Sequence, residues 1–332
     1  MVKNEPDNTL LAVDRLTVSY DAGEETVVHA VREISLTVHA GEIVVILGES
    51  GSGKSSLARA LVGLEPAEAA VSGEIRYGSH VISDFGDEYQ EELFKRLRGK
   101  IVASVFQETG SALHPLMKIG RQMADVMRCH FPHWTKSDIK DKTRHLLTLL
   151  HLPEDADGAY PHELSGGQKQ RAMLAIALSA KPCILIADEI TSALDKKTKN
   201  VLLDLINGLA LLERMGILYI THEPTDAETL CAKTILVMYA GECMEVGTRE
   251  DVLSGALHPY TLRLFDSDPA RAERQTTITA GERVTSPLAG ACPYFSACPR
   301  RTGYCRLEKP FLQKVRGDHY VRCHYVQTEA DE

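Results

Sequence analysis

Gly48-Glu49-Ser50-Gly51-Ser52-Gly53-Lys54-Ser55 lies between Ile43-Val44-Val45-Ile46-Leu47 and Leu57-Ala58-Arg59-Ala60-Leu61. The run before it is continuously apolar and β-branched, as in a strand buried on both faces of a parallel sheet. The run after it reads as a helix. Two glycines with four residues between them, followed by Lys and Ser, form a phosphate loop when a strand precedes and a helix follows. Glycine lets the backbone curl so that successive N–H groups converge on phosphate oxygens. The helix N-terminus adds further donors, Lys54 adds a point charge, and Ser55 adds a hydroxyl for Mg²⁺. Gly48, Glu49, Ser50, Gly51, Ser52, Gly53, Lys54, Ser55 and Ser56 are therefore the candidate nucleotide contacts. A Gly/Ser-rich surface turn would share the composition but not the flanks.

Outward from this loop, continuous apolar runs recur at Cys183-Ile184-Leu185-Ile186-Ala187 and Ile217-Leu218-Tyr219-Ile220. Three such strands separated by helical patterns predict an α/β fold with a parallel core sheet. Alternating positions in Leu11 to Val18 and Ile34 to Val38 predict antiparallel strands, forming an antiparallel β subdomain. Residues from about Gln122 to Leu152 carry apolar groups at helical spacing, a helical insertion. Thr234 to Tyr239 and Cys243 to Val246 read as a hairpin about Ala240-Gly241-Glu242. Arg271 to Arg283 is a polar linker. The expected boundaries are an N-terminal tail (1–10), a nucleotide-binding domain (11–250, helical part about 108–180), a connecting segment (251–285) and a Cys-rich C-terminal domain (286–332).

The 332 residues are 44% apolar and 25% charged, ordinary globular usage. A net charge of −9 argues against nucleic acid as a partner. No apolar run approaches the roughly 18 residues that cross a bilayer, and Met1 to Leu10 lacks the pattern of a signal peptide.

A second constellation is His162-Glu163-Leu164-Ser165-Gly166-Gly167-Gln168-Lys169-Gln170-Arg171. Ser165 and the glycines offer a hydroxyl and close backbone donors at a helix start, a second anion site; a Ser-capped helix would look the same locally. Downstream, Ile184 to Ala187 ends in Asp188-Glu189, where a carboxylate at the end of a parallel strand suits an Mg²⁺ partner. Then come Ser192-Ala193-Leu194-Asp195 and Thr221-His222-Glu223, while Phe106-Gln107-Glu108 lies upstream. With Leu-Ser-Gly-Gly-Gln as its signature, the chain from about Leu11 to Gly247 strongly resembles the ABC ATPases. The resemblance implies ATP and Mg²⁺ as ligands, and the ABC nucleotide-binding fold of the P-loop NTPases. It places Mg²⁺ on Ser55, Gln107 and Asp188, the attacking water on Glu189 and Gln107, the γ-phosphate on His222, and adenine against Tyr20. Ser165, Gly166, Gly167 and Gln168 would face a nucleotide held by a second ATPase subunit, and Asp195 would lie in the D-loop at that interface.

His258-Pro259-Tyr260-Thr261 and the cysteines after it resemble the C-terminal extension of the dipeptide/oligopeptide and nickel importer branch, as does the stretch from Phe106 to Leu116. Ile190 stands where Pro is usual in that branch and Glu223 where Asp is usual. The resemblance implies an ATPase driving import, with peptide or a metal chelate as cargo. The partners it implies are a second ATPase subunit, usually a paralogue in that branch, two transmembrane permease subunits and an extracytoplasmic substrate-binding protein, which would put the chain peripherally on the cytoplasmic face of the inner membrane. An iron–sulfur cluster assembly ATPase is the rival from another class. Cys292, Cys298, Cys305 and Cys323 have spacing C-x5-C-x6-C-x17-C. Disulfides suit a reducing compartment poorly, and zinc usually brings closely paired cysteines, although His319 and His324 would serve zinc. Cysteines next to proline, Cys292-Pro293 and Cys298-Pro299, suit a [4Fe–4S] cluster, which the branch carries. Four free thiols are the remaining reading.

Overall fold

The computed structural model describes residues 8–21, 23, 27–83, 85, 88–106, 112–192, 194–266 and 290–327. β1 (Thr9–Asp21) pairs antiparallel with β2 (Val27–His39) and with β4 (Ala70–Tyr77), and β5 (His80–Ile82) completes a four-stranded sheet of order β2-β1-β4-β5. Inward positions in β1 change from Leu11 and Val13 to Leu16 and Val18. Between them Arg15 takes φ 44 and the pairing with β2 shifts, so a bulge resets which side chains point inward.

The second sheet has eight strands. β3 (Ile43–Leu47), β6 (Val102–Val105), β7 (Ile184–Asp188), β8 (Gly216–Thr221) and β9 (Thr234–Tyr239) run parallel in the order β9-β3-β8-β7-β6. β10 (Glu242–Thr248) turns back antiparallel beside β9 as the expected hairpin. The continuous apolar runs have a simple cause, because each strand feeds two cores. Ile43, Val45, Leu47, Leu185, Ala187, Ile217 and Tyr219 face one core, and Val44, Ile46, Ile184, Ile186, Leu218 and Ile220 the other.

The second core is closed by α1 (Lys54–Leu61), α2 (Glu88–Leu97) and the antiparallel sheet. The first is closed by α3 (Ile119–His130), α4 (Lys136–Leu149), α5 (Gly166–Leu178) and α6 (Lys196–Glu213). The first three of these form the expected helical insertion between β6 and β7. Met123 and Met127 of α3 and Leu146 and Leu147 of α4 bury their apolar stripes. Thr135 starts α4 with a reciprocal cap to Asp138. Short helices α7 (Pro224–Thr229), α8 (Arg249–Leu253), α9 (Pro259–Asp266) and α10 (Gly303–Leu307) complete the chain. No helix among the described residues is long and apolar enough to cross a membrane.

The C-terminal region adds strands to the core sheet. β12 (His319–Val321) pairs antiparallel with β10, and β11 (Gln313–Arg316) pairs with β12, so these strands extend the core sheet. The cause is a buried carboxylate. Glu245 in β10 is fully buried and accepts the N–H groups of Leu257 at 2.9 Å and His258 at 3.0 Å. Its other contact is His319 Nε2 at 2.8 Å. A buried carboxylate needs such partners, and here they come from beyond the cassette. His319, which the sequence offers as a zinc ligand, is therefore engaged by Glu245.

His258 is also buried, and burial pushes its imidazole down to about 4. The unfolded chain, with the ordinary value near 6.5, binds the proton first as pH falls. Stability is then fully present above about pH 6.5 and lost progressively towards pH 4. In denaturant melts, the stability gap between the parent and His258→Asn should narrow by about 2 kcal/mol from pH 7.5 to pH 5. A gap that is the same at both pH values would contradict this.

Candidate functional site

The phosphate loop joins β3 to α1, and two of its glycines leave no room for a side chain. A Cβ at Gly48 would lie 2.4 Å from the Met238 carbonyl oxygen. A Cβ at Gly53, which has φ +100, would lie 2.0 Å from that of Ala30. The Ser52 carbonyl accepts the Gly241 N–H at 3.0 Å. Together β2 and the turn of the β9–β10 hairpin therefore hold the far end of the loop.

Lys54 is 3% exposed, and its Nζ donates to the carbonyls of Gly48 at 2.8 Å and Glu49 at 2.9 Å. Glu189 Oε1 is 3.6 Å away. Burial pulls the ammonium below its ordinary value, against the pull of Glu189 and Asp188. Asp188, 2% exposed at the end of β7, is pushed up by burial while its hydrogen bond with Ser55 opposes the rise. Its Oδ1 has no hydrogen-bond partner among the described residues. A buried carboxylate oxygen without a donor, beside a serine hydroxyl, is a donor set that fits Mg²⁺. A bound cation and phosphates would reverse both shifts, because each charged form would gain an opposite charge.

Glu189 follows Asp188 in the left-handed region at φ 50 and donates its N–H to Ile220 O at 2.9 Å. Its Oε2 is 3.1 Å from His222 Nδ1. Lys54, Asp188, Glu189 and His222 thus meet at the ends of the adjacent strands β3, β7 and β8. The Tyr20 hydroxyl, at the end of β1, is 2.5 Å from Glu65 Oε2 and 2.8 Å from Ser56 Oγ, so the ring is fixed beside the start of α1. Gln107 lies outside the described residues.

Ser165 starts α5 with a reciprocal cap. Its Oγ accepts the Gln168 N–H, and its own N–H goes to Gln168 Oε1 at 2.8 Å. Ser165 and Gln168 thus form a capping box at the start of this helix. Gly166 faces open space, whereas a Cβ at Gly167 would lie 2.8 Å from the Thr198 methyl. Asp195 caps α6, and the Thr198 hydroxyl, 2.7 Å away, lowers its pKa most, followed by the N–H groups of Thr198 and Lys197 that it also accepts.

One set of residues holding this site escaped sequence reasoning. Asp226, fully buried at the start of α7, accepts from Thr191, Tyr219 and Thr221 hydroxyls at 2.9, 3.1 and 2.9 Å. It also pairs with Lys199, which pairs in turn with Glu223. Burial opposes the Lys199 charge, but bonds to Asp226 and Glu223 outweigh it and raise the ammonium. The set ties the chain two residues after Glu189 to the strand end before His222 and to the helix after Asp195. In sequence Asp226 is an ordinary acid in the first turn of a short helix, and no local signal marks it.

Cys292, Cys298, Cys305 and Cys323 line one cavity, together with Pro259, Tyr294 and His324. Burial raises the Cys292 thiol to about 11, and the other three cysteines add to the rise. All four are free, and no group of His, Cys, Asp or Glu among the described residues is set for a metal ion.

Residues 31–192 match the family model described as ABC transporter, and residues 244–305 match the oligopeptide/dipeptide transporter C-terminal region. The chain is 34% identical to a probable peptide ABC transporter ATP-binding protein of Sinorhizobium fredii, with 97% of each covered. It is 33% identical to the oligopeptide transport ATP-binding protein OppD of Escherichia coli, over 93% of this chain and 91% of that one. The OppD of Mycobacterium tuberculosis is 36% identical over 96% of this chain, which spans only 52% of that relative. A dimeric bacterial ABC transporter cassette superposes with a TM-score of 0.64 at 25% identity, covering 72% of this chain and 98% of that one.

The Asp226 set is open to test. Asp226→Ala leaves three hydroxyls without their acceptor and Lys199 without its buried counter-ion, and should cost about 3–5 kcal/mol in urea unfolding. Asp226→Leu combined with Lys199→Met removes the buried pair together and should cost less than Asp226→Ala alone. Equal losses would mean that the pair is not what the buried site depends on.

Proposed function

The chain belongs to the family of ATP-binding subunits of ABC transporters, and on that basis we propose that it hydrolyses MgATP to drive peptide import. The observation that carries this reading is the meeting of Lys54, Asp188, Glu189 and His222 at three parallel strand ends beside the phosphate loop. The loop N–H groups receive the phosphates, and Lys54, kept on the Gly48 carbonyl by one of its three donors, turns the others to the terminal phosphates. Ser55, Asp188 and Gln107 would hold Mg²⁺, whose charge offsets that of the phosphates. Glu189 polarises the attacking water and takes its proton as the bond from the γ-phosphorus to the bridging oxygen breaks, yielding ADP and phosphate. His222, bonded to Glu189, contacts the γ-phosphate, and the Tyr20 ring stacks on adenine.

Ser165, Gly166, Gly167 and Gln168 complete a nucleotide site on a second, paralogous ATPase subunit, with Asp195 at the interface. The open space above Gly166 supports this, since a partner's nucleotide needs that approach. Two permease subunits hold the chain at the cytoplasmic face of the inner membrane, and an extracytoplasmic binding protein delivers the peptide. The match over residues 244–305 and the peptide-transport names of the relatives support peptide as cargo.

Cys292, Cys298, Cys305 and Cys323 would hold a [4Fe–4S] cluster. Their convergence on one cavity supports this. Such a cluster would supply structural cross-linking of the three segments that bear the cysteines.

Two measurements test these readings. Glu189→Gln should bind ATP like the parent while turnover falls by roughly 10²-fold or more, the range of a lost general base. Turnover at the parental rate would remove Glu189 from the role. Anaerobically purified protein should be brown and contain iron with acid-labile sulfide, and replacing Cys298 by Ser should abolish the colour. Colourless protein containing zinc, or containing no metal, would overturn the cluster.

A further inference from the structure

The near end of the phosphate loop is held from beyond the cassette. The Glu49 N–H donates to the Tyr260 hydroxyl at 2.9 Å, 211 residues along the chain. The Glu49 carboxylate pairs with Arg263 Nη2 at 2.5 Å. Tyr260 and Arg263 both lie in α9. The Glu49 N–H belongs to the same peptide unit as the Gly48 carbonyl, and that carbonyl accepts from Lys54 Nζ. A trans peptide is planar, with its N–H and C=O pointing opposite ways. Fixing the N–H on Tyr260 therefore fixes the carbonyl that holds the ammonium. One peptide plane joins the Tyr260 hydroxyl to Lys54.

The hydroxyl is itself held firmly. Tyr260 is fully buried, with its ring 4.6 Å from that of Tyr239 and 5.4 Å from that of Tyr294 between centroids. The Arg263 guanidinium lies 5.8 and 5.7 Å from the centres of Tyr260 and Tyr294. Tyr294 also forms part of the wall of the cysteine cavity. One aromatic cluster thus touches the cavity on one side and the phosphate loop on the other.

We propose that Tyr260, supported by Arg263, is a positioning residue for Lys54, and that through it the C-terminal region sets this subunit's affinity for MgATP. The inference rests on the ATPase reading given above. A buried hydrogen bond between neutral groups shifts an equilibrium about three- to tenfold. The Glu49 carboxylate is 48% exposed and its ion pair is screened by solvent. Tyr260 therefore carries the larger share, and Arg263 the smaller.

The test is titration of the full chain with a fluorescent ATP analogue in Mg²⁺, together with steady-state ATPase kinetics. Tyr260→Phe keeps the ring and loses the acceptor. It should weaken nucleotide binding and raise KM about three- to tenfold, leave kcat within about twofold, and melt within a few degrees of the parent. Arg263→Gln should weaken binding less, and Arg263→Lys should restore most of that loss. Tyr239→Phe, in the same aromatic cluster, should bind like the parent. Parental affinity in Tyr260→Phe, or an equal loss in Tyr239→Phe, would overturn the positioning role alone. A parent chain without affinity for the analogue would overturn the ATPase reading and this inference with it.

Discussion

Lys54 is a cation placed almost wholly out of water, with the Glu189 carboxylate 3.6 Å away. That is costly unless hydrogen-bond acceptors surround the ammonium. The nearest acceptors are carbonyls of its own loop, so the loop must curl over the side chain that follows it. The curl needs glycine where β2 and β9 press closest, and a buried strand on one side with a helix on the other. Asp188 and Glu189 are confined to the same space by the ends of β7 and β8. Burial moves Lys54 and Asp188 in opposite directions, each towards its neutral form. An anionic phosphate and a cation would draw both back, so the loop is electrostatically matched to a charged ligand.

The rigidity that such a site needs is supplied by other buried carboxylates. Asp226 gathers three hydroxyls and an ammonium from strand, loop and helix. Glu245 gathers two backbone donors and an imidazole from segments far along the chain. Each has few alternatives, since a buried carboxylate left unpaired costs several kcal/mol. The segments they gather are therefore held in one arrangement. Through Glu245 the start of α9 is fixed, and α9 in turn reaches Glu49 in the phosphate loop. The C-terminal region is thus built into the nucleotide site as well as into the sheet.

Much of the fold was legible in the residues themselves. Ile43 to Leu47, Ile184 to Ala187 and Ile217 to Ile220 read as buried parallel strands because a strand feeding two cores has no polar face. The phosphate loop and the signature were legible because binding phosphate with backbone donors requires glycine, serine and lysine at fixed local spacing. The order of the motifs then placed Glu189 and His222, and the structure brings Glu189 to Lys54 and His222 to Glu189. Other features left no such trace. Asp226 resembles any acid in a first helical turn and His319 a free ligand, and the motif that contains Tyr260 does not say that its hydroxyl reaches Glu49. The cysteine spacing did not reveal that β12 joins the core sheet. In each case the partner of a polar atom is chosen by packing between segments tens to hundreds of residues apart. Sequence by itself determined what is bound locally, through residue types that phosphate chemistry demands. Only the tertiary structure decided which distant side chains hold that site in place, because the need for a buried polar group to find a partner fixes no sequence separation.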